Sequence, residues 1–319
     1  MNLAFFETEA WEKEYLGNKL KNNRITFFNH TINKASLNKI KDTEILSIFV
    51  YSLITKEVLK KLPNLKAIFT RSTGFDHIDI EECRKRNIFV FNVPHYGDNT
   101  VAEHTFALML ALSRKIISSH EKTKRGIFSC EGLTGFDLKG KTIGIIGLGR
   151  IGKKVTQIAK SFEMNVRAFD VFQDEKFAEE HAVKYISLNE LLKSSDIITL
   201  HCNLTSEDHH LINKKNISLL KRNAIVINTA RGGLVETSAL IKAIKNKKIA
   251  GAGLDVLEEE FSIKNKHKEI LKKLTKLPNV IITPHNAFNS QEALQRILDT
   301  TIENINCFMN NKPCENVVK

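Results

Sequence analysis

A glycine-rich turn near the middle of the chain has the spacing of a phosphate-binding loop. Residues 141–153 read KTIGIIGLGRIGK, in which Gly147, Gly149 and Gly152 form a GxGxxG pattern directly after an apolar run. Apolar residues at helical spacing follow, so the turn joins a strand to a helix. Such a turn lets the backbone approach a pyrophosphate, and the helix N-terminus offers free N–H groups and partial positive charge. The pattern therefore predicts a dinucleotide-binding site.

A carboxylate at the end of the next predicted strand indicates which dinucleotide binds. Asp170 ends the run NVRAFD, 18 residues after Gly152. Its oxygens suit the two ribose hydroxyls of NAD and would repel the 2′-phosphate of NADP. Val171 and Phe172 follow, so no arginine stands beside Asp170 to take that phosphate. We therefore predict NAD as the cofactor.

Three more segments place polar or charged residues where an apolar run ends. They read INTARGGLVE (227–236), GAGLDVLEEEF (251–261) and VIITPHNAFNS (280–290). In open α/β sheets, ligands bind outside the carboxyl ends of the strands. We therefore expect these segments to line a ligand site at that edge of a sheet.

The elements that must position these residues follow from the pattern of apolar runs. Short apolar runs alternate with helical segments, which is typical of parallel sheets covered by helices. In the first part we predict strands at Asn2–Phe6, Glu44–Val50, Leu65–Thr70 and Ile88–Val93, and helices at Glu9–Lys21 and Ile54–Leu62. One long helix at Asn99–His120 is followed by strands at Thr142–Ile146, Asn165–Asp170, Asp196–His201, Ala224–Thr229, Gly251–Val256 and Val280–Thr283, and by a helix at Gln291–Met309. Six strands with intervening helices match a full doubly wound sheet.

The composition narrows the class of protein. The 319 residues are 42% hydrophobic and 26% charged, which excludes a chain that is disordered as a whole. The net charge is +12, but only 11 of the 48 basic residues are arginine, so we expect a solvated lysine-rich surface and no nucleic-acid partner. No apolar run reaches the roughly 18–20 residues of a membrane span, and the N-terminus has no secretory signal pattern. Five cysteines without metal-ligand spacing are typical of reduced thiols, so we expect a cytoplasmic protein without a bound metal.

Together these motifs resemble those of the D-2-hydroxyacid dehydrogenases, and most of all the D-lactate dehydrogenases among them. The resemblance covers nearly the whole chain and includes TRSTGFDHID (70–79) and NVPHYGDNTVAEH (92–104). It implies an α/β protein of two doubly wound parallel-sheet domains. These are a Rossmann coenzyme domain at 99–288 and a smaller, flavodoxin-like substrate domain formed by 1–98 and 289–319. It further implies a hinge where the chain crosses between them, and a homodimer with the Asn99–His120 helix in the interface.

The resemblance also implies a catalytic set. The family's substrate-binding arginine matches Arg231, and its proton donor matches His285. The glutamate that orients this histidine matches Glu260, while Glu258 and Glu259 remain alternatives in the same acidic run. Arg231 can hold the carboxylate of a 2-oxo acid in a bidentate fork, and His285 as imidazolium can give a proton to the carbonyl oxygen while NADH supplies a hydride. A carboxylate at the other ring nitrogen would favour the imidazolium.

The remaining site residues are carried over motif by motif. Cofactor contacts are implied for Gly147, Gly149, Arg150, Ile151, Gly152 and Asp170 around the pyrophosphate and ribose, for Cys202 and Asn203 at the adenine side, and for Thr229, Ala230 and Asp255 near the nicotinamide. Substrate contacts are implied for the backbone N–H groups of Ser72, Thr73 and Gly74, and for Tyr96 and Arg231. Other histidines in family motifs hold non-catalytic positions and are interpreted as structural: His77, His104 and His201. Phe261 stands where the family often has a proline after the glutamate.

These implications lead to one predicted function and to alternatives that stay open. The prediction is an NAD-dependent oxidoreductase that interconverts a D-2-hydroxy acid and its 2-oxo acid, with D-lactate and pyruvate as the first choice of substrates. An alternative enzyme is a glycerate/hydroxypyruvate reductase or a broad 2-oxo-acid reductase. An alternative of another class is an NAD-sensing binding protein that resembles a co-repressor. The expected partner is a small-molecule substrate, with neither nucleic acid nor membrane.

Overall fold

Backbone contacts divide the chain into two units. The first contains Met1–Tyr96 and Ser290–Lys319, and the second contains Gly97–Asn289. The computed structural model of the chain describes residues 1–260 and 266–318, and only the backbone of residues 266 and 267. Phe261 therefore lies outside the described residues.

The first unit is built on a five-stranded parallel sheet. Its strands are β1 (Asn2–Phe5), β2 (Arg24–Phe27), β3 (Ile45–Ile48), β4 (Ala67–Thr70) and β5 (Phe89–Phe91). They lie in the order β2-β1-β3-β4-β5, so the chain reverses its direction of travel across the sheet after β2. β2 was not predicted, because its residues are exposed or half-buried along an edge and form no apolar run.

Helices cover both faces of this first sheet. They are α1 (Ala10–Lys19), α2 (Lys34–Lys39), α3 (Lys56–Leu59), α4 (Ile80–Lys85) and the last helix of the chain, α12 (Gln291–Met309). Leu16 of α1 and Leu298 of α12 belong to one buried cluster, whereas Leu37 of α2 and Leu59 of α3 belong to another. The two clusters lie on opposite faces, which makes this sheet doubly wound.

The second unit is built on a seven-stranded parallel sheet. Its strands are β6 (Thr142–Ile146), β7 (Asn165–Phe169), β8 (Lys184–Tyr185), β9 (Ile197–Leu200), β10 (Ile225–Asn228), β11 (Gly251–Leu254) and β12 (Val280–Ile282). The order is β12-β11-β10-β9-β6-β7-β8, which reverses between β6 and β9. That reversal is the switch point at which open α/β sheets bind ligands. The expected fold class of two doubly wound parallel sheets is confirmed, although the two-residue strand β8 was not predicted.

The helices of the second unit pack on both faces of its sheet. They are α5 (Asp98–Ser113), α6 (Ile116–Lys124), α7 (Arg150–Ser161), α8 (Glu175–Glu180), α9 (Leu188–Ser194), α10 (Thr237–Lys245) and α11 (Lys266–Leu274). One buried cluster joins Met109 of α5 and Val155 of α7 to one face, while Leu191 of α9 and Leu240 of α10 belong to a second cluster. Both faces are therefore apolar, as the continuous burial of the inner strands requires.

The prediction of one long helix at Asn99–His120 is wrong. α5 ends at Ser113 and α6 begins at Ile116, with Lys115 in the left-handed conformation at a φ of 52°. The backbone N–H of Phe136 donates to the carbonyl oxygen of Ser113 at 2.9 Å, so a later segment takes an acceptor at the end of α5. Lys115 Nζ also donates to the Gly132 carbonyl oxygen at 2.9 Å. The returning segment thus redirects the chain after Ser113.

Two further features concern the helices and the cysteines. Among the residues that the structure describes, no helix is both long and apolar enough to cross a membrane. All five cysteines are free thiols.

Candidate active site

The glycine turn connects β6 to α7 at the carboxyl edge of the second sheet. Gly147 has a φ of +92°, and a Cβ atom there would lie 2.6 Å from the Cys202 backbone nitrogen. A Cβ atom on Gly152 would lie 2.2 Å from the Gly147 carbonyl oxygen. In contrast, a Cβ on Gly149 would meet nothing within 4 Å. The turn is thus in close contact with protein backbone at Gly147 and Gly152, and there is open space at Gly149. Helix α7 begins there without a side-chain cap, so its first N–H groups can receive a pyrophosphate.

Asp170 is held beside this turn at the end of β7. Its Oδ2 accepts the backbone N–H of Leu148 at 2.6 Å, and its Oδ1 accepts the N–H of Phe172 at 3.0 Å. Both contacts leave lone pairs on the carboxylate for the ribose hydroxyls. Four residues further on, Asp174 forms an ion pair with Lys153 of α7, and the hydrogen bond from Lys153 lowers the pKa of Asp174. Asp170 thus lies next to the open turn, and its contact with the adenosine ribose remains a prediction.

His285 and Glu260 form a close pair at the carboxyl ends of β12 and β11. His285 Nδ1 lies 2.5 Å from Glu260 Oε1, and both side chains are less than one-fifth exposed. The second oxygen of Glu260, Oε2, accepts the Leu257 N–H at 3.1 Å. Glu260 therefore orients the ring of His285 through Nδ1, and Nε2 is the second ring nitrogen.

The neighbouring glutamates of the acidic run have other positions. Glu258 Oε1 lies 2.6 Å from His210 Nε2, and its Oε2 accepts the Thr237 N–H at 2.7 Å. Burial opposes the ionisation of Glu258, but the hydrogen bonds from Thr237 and His210 outweigh it and lower the pKa of this carboxyl. Glu259 is exposed and has a φ of 54°. Of the three glutamates, Glu260 is the one that the structure places on His285.

Asp255 forms hydrogen bonds with the segment that carries His285. Its Oδ1 accepts the Thr283 hydroxyl at 2.5 Å and the Asn286 N–H at 3.0 Å, and its Oδ2 accepts the Ala287 N–H at 2.9 Å. The carbonyl oxygen of Asp255 also accepts the N–H of His285 at 2.8 Å. Asp255 is only 2% exposed, so these contacts fix the backbone around His285, which has a φ of 50°. Its contact with the nicotinamide remains a prediction.

Arg231 follows β10 in a turn that is held by a buried asparagine. Asn228, 1% exposed, donates through Nδ2 to the Arg231 carbonyl oxygen at 2.9 Å and accepts the Ala230 N–H at 3.1 Å. Arg231 Nη1 donates to the Ala230 carbonyl oxygen at 2.8 Å. Because β10, β11 and β12 are neighbours, Arg231, Glu260 and His285 all belong to adjacent strand ends of one sheet.

The residues expected at the adenine and nicotinamide sides lie on the same sheet edge. Cys202 and Asn203 follow β9, and burial together with the charge of Asp208 raises the pKa of the Cys202 thiol to about 12. That thiol therefore stays protonated and serves as a packing group. Thr229, 8% exposed, shares a 2.9 Å hydrogen bond with Thr105 of α5. At the start of α7, Arg150 forms an ion pair with Asp98 and Ile151 is half-buried.

The loop expected to bind the substrate carboxylate belongs to the first unit and follows β4. Ser72 donates through its hydroxyl to the Gly74 carbonyl oxygen at 2.7 Å, and Thr73 Oγ1 donates to the Val93 carbonyl oxygen at 3.0 Å. Within the described residues, no acceptor takes the backbone N–H groups of Thr73 or Gly74. Tyr96 is half-buried, and its carbonyl oxygen accepts Arg296 Nε at 2.8 Å.

Known proteins are similar to this chain over its whole length. Residues 106–287 match the family described as D-isomer specific 2-hydroxyacid dehydrogenase, NAD binding domain. The chain belongs to this family. A 2-hydroxyacid dehydrogenase homolog of Haemophilus influenzae is 36% identical over 100% of this chain and 99% of its own length. The D-lactate dehydrogenase of Escherichia coli is 35% identical over 99% of both chains. The D-lactate dehydrogenase of Aquifex aeolicus, solved with NAD and lactic acid, has a TM-score of 0.89 at 38% identity, covering 97% of this chain and 96% of that one.

Membership of the D-isomer specific 2-hydroxyacid dehydrogenases gives the reaction class. The protein is an NAD-dependent oxidoreductase that acts on 2-hydroxy acids of D configuration and their 2-oxo acids. The predictions of the family, the reaction class and NAD are therefore confirmed. The roles of individual residues stay predictions, which the contacts described above support.

Sequence reasoning missed several residues of this dehydrogenase's site. Asn228, Thr283 and Asn286 lie next to catalytic candidates, and they could have been found as polar residues at the ends of apolar strands. His104, interpreted as structural, lies with Nε2 3.0 Å from Thr283 Oγ1 and 3.6 Å from Asp255 Oδ1. The other two histidines with that interpretation are in hydrogen bonds with threonines: His77 with Thr70 at 3.1 Å and His201 with Thr199 at 2.8 Å.

Proposed function

We propose that the protein interconverts D-lactate and pyruvate with NAD, and that Arg231, Glu260 and His285 carry out the reaction. The observation that carries the catalytic part is the 2.5 Å contact of His285 Nδ1 with Glu260 Oε1 at the sheet edge that also holds Arg231. The substrate assignment is supported by the relatives from Escherichia coli and Aquifex aeolicus, which are D-lactate dehydrogenases that align along almost the whole chain.

In the proposed mechanism, residues of the second unit bind the coenzyme and orient the reacting groups. The open turn at Gly149 and the N-terminus of α7 hold the pyrophosphate, and Asp170 holds the adenosine ribose. When bound, NADH supplies the hydride that reduces the carbonyl carbon. Arg231 binds the substrate carboxylate through two N–H groups, which fixes the orientation of the neighbouring carbonyl.

The proton for the carbonyl oxygen comes from His285 Nε2. Glu260 stabilises the imidazolium before the transfer, because its carboxylate lies against Nδ1. Asp255 keeps the ring in place through the backbone of residues 285–287. In the oxidative direction, the same ring is neutral and takes the hydroxyl proton, so acid and base are one residue in two protonation states.

The domain roles are also part of this proposal. The first unit supplies the substrate contacts, namely the N–H groups of Ser72, Thr73 and Gly74 and the side chain of Tyr96. This role is supported by the N–H groups of Thr73 and Gly74, which have no acceptor among the described residues. In contrast, the hydroxyl groups of Ser72 and Thr73 are already in hydrogen bonds with carbonyl oxygens. A carboxylate bound by main-chain N–H groups gains charge-assisted hydrogen bonds without a buried counter-cation.

The test is a panel of 2-oxo acids assayed with NADH. We expect kcat/KM to be highest for pyruvate, and lower for hydroxypyruvate and for 2-oxo acids with branched side chains. A preference for hydroxypyruvate would move the assignment to a glycerate-type enzyme, and similar values across the panel would indicate a broad reductase. NADH binding without turnover of any substrate would instead support a binding protein.

We also propose a homodimer that works in the cytoplasm. Ile116 and Ile117 at the start of α6 are each about half exposed, and Phe128 after α6 is 95% exposed, which is a costly surface for an isolated chain. The five free thiols suit a reducing compartment. Light scattering coupled to gel filtration should give a mass near 72 kDa, about twice the 36.2 kDa of the chain. Phe128→Asp should shift it towards the monomer, and a monomeric wild-type protein would contradict the proposal.

A further inference from the structure

Two adjacent histidines and a glutamate form a cluster outside the proposed catalytic set. His209 and His210 lie in the loop after β9, and Glu258 lies in the loop after β11. One ligand atom from each residue, a ring nitrogen or a carboxylate oxygen, lies within 4.8 Å of the other two. His210 and Glu258 are 48 positions apart in the chain, which is why the sequence did not predict a metal site here.

Hydrogen bonds hold the backbone of His210 and the side chain of Glu258 in this cluster. His210 has a φ of 58°, a left-handed conformation that is uncommon for residues other than glycine. It is kept there because its N–H donates to the Gly233 carbonyl oxygen and its carbonyl accepts Asn213 Nδ2, both at 2.8 Å. The backbone N–H of Thr237 donates to Oε2 of Glu258 and fixes this carboxylate, and the other oxygen, Oε1, is directed at His210. Hydrogen bonds from neighbouring residues therefore position His210 and Glu258.

His209 completes a set of three donors. Its ring lies 3.9 Å from that of His210, measured between centroids. Two imidazoles and one carboxylate are the ligands that Zn²⁺ takes, at about 2.0–2.2 Å each, and tetrahedral geometry at that distance separates ligand atoms by about 3.3 Å. His210 Nε2 and Glu258 Oε1 are 2.6 Å apart, and the three ligand atoms all lie within 4.8 Å of one another, which is the range that includes this separation.

We propose that His209, His210 and Glu258 bind a divalent transition-metal ion of the Zn²⁺ type, with water as a fourth ligand. Entry is open because His209 is exposed, while His210 and Glu258 are 30% and 18% exposed at their side chains. A simple ion pair would explain His210 with Glu258, but it assigns no role to His209. The proposal is independent of the substrate and of the catalytic roles proposed above.

The site would lie next to the segments that carry the catalytic candidates Arg231 and Glu260. Glu258 is two residues before Glu260, and a Cβ on Gly232, next to Arg231, would lie 2.5 Å from the Glu258 backbone nitrogen. A bound ion would thus join the loop after β9 to the loop after β11. We expect it to stabilise this part of the fold, in the way that a ligand specific for the native state does.

The experiment is a calorimetric titration of the metal-stripped full chain with Zn²⁺ alone, run on wild type and variants. With 11 histidines and five cysteines, weak binding elsewhere is expected, so the result lies in the difference between variants. His209→Ala should weaken the tightest site by more than the roughly 10- to 100-fold that loss of an outer partner costs. His120→Ala, which removes an exposed histidine on α6, is the matched control and should bind like wild type.

Thermal unfolding gives a second measurement on the same proteins. Zn²⁺ should raise the Tm of wild type and of His120→Ala, and the increase should be absent in His209→Ala. Glu258→Gln should also lose the tight site, and if this variant does not fold, His209→Ala decides alone because its side chain is exposed. Wild type without a tight Zn²⁺ equivalent, or His209→Ala with unchanged affinity and stoichiometry, would overturn the proposal.

Discussion

Replacing Glu260 with glutamine tests the proposed proton donor most sharply. The variant keeps a group that can hydrogen-bond to His285 Nδ1 and removes the negative charge that lies 2.5 Å from it. Two unit charges about 4 Å apart interact by about 4 kcal/mol at an effective dielectric constant of 20, and desolvation of the pair cancels part of this. The carboxylate at Nδ1 therefore favours the charged form of the ring, and its removal disfavours that form.

The direction of the effect follows from the chemistry. Reduction of pyruvate requires imidazolium, so kcat/KM for reduction falls when rising pH removes the ring proton. Without the carboxylate the imidazolium is less stable, so in Glu260→Gln the fall in kcat/KM should begin at lower pH than in wild type. Well below both transitions the variant should recover much of its activity. For D-lactate oxidation, which requires the neutral ring, the rising limb should also move to lower pH.

The assay is kcat/KM against pH in both directions, with Glu259→Gln as the matched control. Glu259 belongs to the same acidic run and is exposed, whereas Glu260 is the residue in the 2.5 Å contact with His285, so Glu259→Gln should keep the wild-type dependence of kcat/KM on pH. An unshifted profile in Glu260→Gln would refute the reasoning. A shift in Glu259→Gln of equal size would show that the charge acts from the surface and not through the close pair.

Three further predictions address the cofactor, the substrate and stability. Because Asp170 would meet the 2′-phosphate, kcat/KM with NADPH should be about 10²-fold or more below that with NADH, and Asp170→Ala should narrow the gap; equal values for wild type would contradict this. Arg231→Lys keeps the charge but loses the fork, so kcat/KM for pyruvate should fall about 10²-fold while NADH affinity, measured by fluorescence, stays nearly constant. Burial lowers the pKa of His201 to about 3 from an ordinary value of 6.5, so the neutral ring contributes stability above pH 6.5 that is lost as the pH falls from there towards 3. Between pH 6.5 and 5, urea unfolding should show wild type losing about 1–2 kcal/mol more than His201→Asn, and equal losses would contradict the assignment.

Much of the fold could be predicted because its signals are local. Apolar runs that are buried on both faces of a parallel sheet stand out in the sequence, and the glycine turn marks the first crossover of the second sheet. Edge strands lack this signal: β2 alternates between exposed and half-buried residues, and β8 has two residues. The break after Ser113 was also hidden, because it depends on a contact with Phe136 and not on a helix-breaking residue.

The candidate site shows the same division between local and long-range information. Arg231 and His285 could be predicted from strand-end motifs, whereas among three consecutive glutamates only the spacing of the family motif favoured Glu260 and left Glu258 and Glu259 open as alternatives. The structure separates them by long-range contacts, since Thr237 and His210 take Glu258 while Glu260 reaches His285. The support that Asp255 gives to the backbone of residues 285–287 likewise joins positions about 30 residues apart.

The most direct test of the account is the stereochemistry of lactate oxidation. Purified protein is incubated with NAD⁺ and either D-lactate or L-lactate, and NADH formation is followed for wild type and His285→Ala. We expect turnover of D-lactate by wild type, none above background with L-lactate, and a roughly 10²–10⁴-fold loss in His285→Ala at every pH. Preference for L-lactate, or full activity of His285→Ala, would contradict the proposed site and its chemistry.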